Sequence, residues 1–114
     1  MSMEIQIYLA KFLPVPRRGE PRNVGLVVRT ANDEIFTKFL FEGEKTCVSP
    51  KSLDLKEFAS VVVDWKIAIQ KYGVKALHWV GKRKKYDQRF YIEFVGGEFV
   101  QEFDIDKFYE ELVA

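Results

Sequence analysis

Hydrophobic and polar positions alternate along the first third of the chain. From Glu4 to Leu13, Ile5, Ile7 and Leu9 fall on one side and Tyr8, Ala10 and Phe12 on the other, the period of two expected of a strand. Both sides are apolar. The pattern therefore predicts a strand inside a sheet, covered on two faces, with Lys11 breaking the rhythm near its end. Val24 to Thr30 reads as a second strand, Leu26 and Val28 opposing Val27 and Arg29. Ala31-Asn32-Asp33-Glu34 reads as a turn, because Asn and Asp tolerate left-handed backbone and bond to their own main chain. Ile35 to Phe41 is the third strand.

After a polar connection, Glu42 to Lys51, the period changes to that of a helix from Leu55 to Tyr72. Leu55, Phe58, Ala59, Val62, Trp65, Ile69 and Tyr72 share one side; Lys56, Glu57, Ser60, Asp64 and Lys71 share the other. Asp54 takes the N-cap with Glu57 three residues on, and Leu53 and Phe58 have staple spacing. Gly73 ends the helix. The run Val61-Val62-Val63 favours a strand locally, but the caps and the longer period outweigh it. Lys75 to Gly81 then reads as a fourth strand. Arg89–Val95 and Glu98–Phe103 read as a hairpin turning at Gly96-Gly97. A terminal helix after Asp104 buries Ile105, Phe108, Tyr109 and Leu112. The order βββ-α-βββ-α predicts a single α+β domain over residues 1–114. Its sheet is mostly antiparallel, with five or six strands and the long helix packed on one face.

Composition sharpens this picture at three points. The 114 residues, 47% hydrophobic and 31% charged, suit one folded domain. The net charge of +1 supplies no overall basic field, so any binding of nucleic acid must come from local patches. Cys47 is the only cysteine and no secretory signal is visible, which points to a cytoplasmic protein without disulfides. No apolar run reaches the roughly 18–20 residues of a membrane span, so no membrane partner is expected.

Charge is concentrated in two connections. The loop from Pro14 to Asn23 holds three prolines, Gly19, Glu20 and the arginines Arg17, Arg18 and Arg22; a second segment is Lys82-Arg83-Lys84-Lys85. Gly25, just beyond the first loop, suggests a bulge or a close backbone approach. Counting strand directions, with the fourth strand parallel to the first, sets both segments at one end. Lys45, Lys51 and the free N–H groups of the long helix belong there too. Glu20, Glu42, Glu44 and Asp54 dilute that end, while Asp33, Glu34 and Glu98 lie at the other. The rigid loop is suited to presenting arginines to a partner or an anion, or to pairing Glu20 with one of them. The lysine segment, with Trp79 and Tyr86 nearby for base stacking, is suited to phosphates or is a solvated loop.

Little else carries chemistry. His78 is the sole histidine and alternates with Ala76 and Val80 as a packed or half-buried strand residue. Cys47 has no partner for a metal site, and no phosphate-binding glycine motif is present. Asp54-Leu55-Lys56 imitates the acid-x-lysine spacing of some nucleases, but at a helix start. No catalytic residue, cofactor or metal is predicted.

Tyr8, Pro14, Arg18, Gly19, Glu20, Asn23, Val24 and Gly25 together resemble the opening of a small bacterial family, one of the domains of unknown function. Its members carry a tyrosine-bearing strand followed by Val-Pro-x-x-x-Arg-Gly-Glu-x-x-Asn-Val-Gly. The resemblance covers about a fifth of this chain, which departs from the pattern at Pro21. Genes of that family often lie beside those for HipA-type kinases, so the resemblance implies an accessory protein with a protein partner, and it implies no catalytic residues.

Two functions follow as expectations. The first is a non-enzymatic interaction module that binds a protein partner through the 14–23 loop. The second is a binder of nucleic acid or another polyanion, using the cationic end formed by loops 17–22 and 82–85. The candidate residues for either ligand are Arg17, Arg18, Glu20, Arg22, Asn23, Lys82, Arg83, Lys84 and Lys85. Sheet edges and surface aromatics also predict a homodimer.

Overall fold

A computed structural model describes residues 2–14, 21–40, 53–79 and 89–113. It is an α+β fold: β1 (Met3–Phe12), β2 (Arg22–Thr30), β3 (Ile35–Phe39), α1 (Leu55–Tyr72), a 3₁₀ helix (Gly73–His78), β4 (Phe90–Val100) and α2 (Ile105–Leu112). The strands form one antiparallel sheet in the order β3-β2-β1-β4. β1 is central, as its two apolar faces require. Tyr8, Ala10 and Phe12 join the core beneath α1, and Ile5, Ile7 and Leu9 pack with Tyr109 of α2. The terminal helix thus covers the sheet face that α1 leaves open.

The limits of α1 follow from its caps. The Asp54 carboxylate accepts hydrogen bonds from the N–H groups of Lys56 and Glu57, at 2.9 and 3.1 Å. Gly73 has φ +62° and its N–H donates to the Ile69 carbonyl. Leu53 and Phe58 both belong to the core, as a staple requires. Two aromatic residues anchor the helix. Phe58 stacks on Phe90 of β4, centroids 5.9 Å apart, and Trp65 stacks on Phe39 of β3 at 5.8 Å. β4 and β3 are opposite edges of the sheet, so α1 lies across the strands.

Four strands, rather than five or six, are present among the described residues. Lys75–His78 is part of a 3₁₀ helix, not a fourth strand, because the adjacent residues Ala76 and Leu77 are both buried in the same core. A strand would send them to opposite faces. His78 is exposed at the end of that helix, not packed. The hairpin at Gly96-Gly97 is absent, and β4 runs straight through both glycines. The tight hairpin turns need positive φ, and among described residues only Asp33 and Gly73 have it. The two glycines instead continue the ladder to β1, pairing with Ile7 and Gln6.

Of the two alternatives for Gly25, the bulge is present next to it, and its close neighbours are side chains rather than another backbone. The β1–β2 register slips between Ala10 and Lys11, leaving Val24 as the extra residue of a bulge. Gly25 lies against the ring of Phe39. The turn before β3 is closed by Asp33 at φ +61°. The Asp33 carboxylate bonds Arg29 Nε at 3.0 Å and Nη2 at 2.8 Å. That contact, opposed by desolvation, holds the guanidinium above its ordinary value.

Candidate functional site

The geometry of one sheet end follows from Phe12. Its register partners are Arg22 on one side and Phe90 on the other, and its ring stacks on Phe90 at 5.0 Å. The Leu13 N–H donates to the Arg89 carbonyl at 2.8 Å. Pro14, Pro21, Arg22 and Arg89 therefore meet at this end, with both arginines exposed. The segment from Lys75, which strand counting set parallel to β1, is 3₁₀ helix as far as His78; β4 runs antiparallel to β1 and starts at this end. Arg17, Arg18, Glu20, Lys82, Arg83, Lys84 and Lys85 lie outside the described residues, as do Cys47, Lys45, Lys51 and Tyr86. The carboxylates Asp33, Glu34 and Glu98 sit at the opposite end, where Ile5 pairs with both Thr30 and Glu98.

Asn23 of the expected site, and Asp54 at the same end, have structural partners. The Asn23 Nδ2 donates to the Leu112 carbonyl at 2.8 Å, tying the last turn of α2 to the start of β2. Asp54 occupies two of the N–H groups at the α1 N-terminus that an anion would otherwise use. The expected free amides there are thus partly filled by the chain's own carboxylate.

Two surfaces escape a reading by hydrophobic period alone. The first is on α1. Leu55, Ala59, Val63 and Ile67 are all exposed, the three large ones by more than half. Residues four apart advance only about 40° around a helix, so these four make an apolar ridge. The buried stripe is Phe58, Val61, Val62, Trp65, Ala68 and Ile69; Leu55, Ala59 and Tyr72, expected inside, are exposed. The ridge starts less than one turn from Phe58, whose ring lies on Phe90 beside Arg89.

The second surface is the far half of β4. A register slip between Ile7 and Tyr8 leaves Val95 as an extra residue. Simple alternation would place Phe94 and Phe99 on opposite faces. The bulge shifts the phase, so both share the α1 face, opposite Tyr8 and Glu4 respectively. Phe94 is 52% exposed and Phe99 71%, although Phe94 makes a tilted contact with Tyr8 at 5.2 Å.

Among the described residues no group of three or more His, Cys, Asp and Glu is placed to hold a metal ion, and no helix is long and apolar enough to cross a membrane. No family model, curated protein or solved structure matches the chain.

Proposed function

We propose that the protein is a non-enzymatic interaction module that docks a protein partner through the sheet end carrying the 14–23 loop. The observation that carries this reading is the apolar ridge Leu55–Ala59–Val63–Ile67, which starts within one turn of Phe58, whose ring stacks on Phe90 next to the exposed Arg89. Exposed apolar surface next to arginine is the composition of a protein-binding patch. The resemblance of residues 8–25 to a family encoded beside HipA-type kinases points to the same accessory role. The single cysteine suits a cytoplasmic setting.

A polyanion reading has less behind it. Phosphate binding draws on free helix N–H groups and unbroken positive charge, whereas Asp54 adds a carboxylate at this end and takes up two amides. The test is a fluorescence-anisotropy titration with labelled single-stranded and duplex oligonucleotides at two salt concentrations. The protein-partner reading expects no binding at low salt by the folded protein. Binding that weakens steeply with salt, and whose salt dependence flattens in Lys84→Ala/Lys85→Ala, would establish the polyanion reading instead. Glu20→Gln would then report whether Glu20 dilutes the charge, giving tighter binding, or orders the arginines, giving weaker binding.

A further inference from the structure

We infer that the far half of β4 is a second docking site, which accepts an extended polypeptide segment alternating apolar and basic residues as a fifth strand. It lies away from the α1 ridge and does not depend on the function proposed above.

The backbone supplies the first part of the argument. β4 is an outer strand, and among the described residues nothing pairs with its free edge. Its far half, residues 93–100, is long enough to pair with an added segment, with every second N–H and C=O directed outward. An added strand would satisfy those groups, the mode known as β-augmentation.

The side chains specify what such a strand would carry. On the α1 face, the sequence of positions is Phe94, Gly97, Phe99. Gly97 has no side chain, so a notch lies between the two exposed rings. A Cβ at Gly97 would meet the Ile5 carbonyl oxygen at 3.6 Å and Glu4 Oε1 at 3.9 Å, both ordinary contacts, so the notch has room for a side chain. On the other face stand Glu93 and Glu98, opposite Leu9 and Ile5. Both are exposed and have no ion-pair partner among the described residues. Glu4, the register partner of Phe99, is on the α1 face, with its Oε1 close to the Gly97 position. Arg29, two strands away, is engaged by Asp33 and Gln6. A strand added here would meet the rings of Phe94 and Phe99, with Glu4 beside them, on one face and the carboxylates of Glu93 and Glu98 on the other. Charge complementarity therefore selects lysine or arginine at its alternate positions.

The same charges disfavour a second copy as occupant. Self-pairing with faces matched would align Glu93 and Glu98 of both copies along one face, where like charges repel.

The test uses the full chain and three fluorescein-labelled nonapeptides: one alternating Lys and Val, one of the same composition with Lys and Val in blocks, and one alternating Glu and Val. Anisotropy should show binding of the Lys-Val alternating peptide only. Bound peptide should slow amide hydrogen exchange between residues 93 and 100. Glu93→Gln/Glu98→Gln should weaken binding about ten-fold, in line with loss of two exposed charge pairs. Gly97→Val, whose Cβ meets only ordinary contacts, should fill the notch and weaken binding too, with an unchanged melting temperature confirming the fold. Equal binding of the alternating and block peptides would overturn the site, since charge alone would explain it. Absence of binding by folded protein would overturn it as well. So would light scattering that shows a dimer abolished by Gly97→Val, which would assign the edge to a second copy.

Discussion

The ring of Phe39 fills the space above Gly25. A Cβ added at Gly25 would lie 2.3 Å from Phe39 Cδ1, 2.9 Å from Cε1 and 3.2 Å from the Ala10 Cβ. Phe39 is fully buried and stacks on Trp65, so its ring cannot swing to solvent. Gly25 is thereby the point at which β1, β2, β3 and α1 are brought together. Gly25→Ala should destabilise the protein by about 1–3 kcal/mol, the cost of overpacking. In Gly25→Ala/Phe39→Leu the two effects should be non-additive, with part of the loss recovered. Urea denaturation of the four proteins of the cycle measures this.

Asn23→Ala removes the donor to the Leu112 carbonyl and should cost about 1 kcal/mol. Asn23→Asp should cost more, because a carboxylate would face the negative end of α2. Hydrogen exchange should show both changes loosening α2 while α1 stays protected. A partner-binding role alone for Asn23 would leave that exchange unchanged.

Asp54→Ala should cost about 0.5–2 kcal/mol, the usual loss for an N-cap, and fray the first turn of α1. Because Leu55 belongs to that turn, the same change should weaken partner docking; thermal melts and binding measured side by side separate the two effects.

Asp33 combines a left-handed backbone with an exposed ion pair. Asn tolerates that backbone and Val does not. Asp33→Asn should therefore cost no more than about 1 kcal/mol, and Asp33→Val clearly more by denaturant unfolding. The raised guanidinium pKa of Arg29 contributes stability that is fully present below the unfolded-state value. It is lost only as pH rises through the folded one. Stability should thus show no step from Arg29 across about pH 5 to 9.

Much of the fold was legible because local signals and packing agree. Asp54 and Gly73 bound α1 at Leu55 and Tyr72, and the two apolar faces of β1 place it between helices. The reading failed where a local signal met a stronger tertiary alternative. Gly96-Gly97 resembles a turn, but ten residues of β1 lie alongside and complete the ladder through it. Lys75–His78 alternates on paper, yet Ala76 and Leu77 are drawn together into one core. The site was less legible. Most of its charged residues lie outside the described residues, and the shared face of Phe94 and Phe99 depends on a bulge at Val95. Counting in twos hides such a bulge; the adjacent glycines were its only signal. The α1 ridge has a trace in the sequence, since Leu55, Ala59, Val63 and Ile67 recur at every fourth position. By hydrophobic period Leu55 and Ala59 read as part of the buried side instead, and Val63 and Ile67 fall in neither set.

The central claim is a protein partner docked at the end of the sheet that carries Arg22, Arg89 and the start of α1. The most direct measurement is affinity capture from a lysate of the source cells, with and without nuclease, comparing the wild type with Val63→Asp. Val63 is half exposed on the ridge, so its replacement should leave the melting temperature nearly unchanged. The account predicts a stoichiometric protein partner that survives nuclease and is lost in Val63→Asp. Capture that disappears on nuclease treatment, or that Val63→Asp leaves intact, would contradict it.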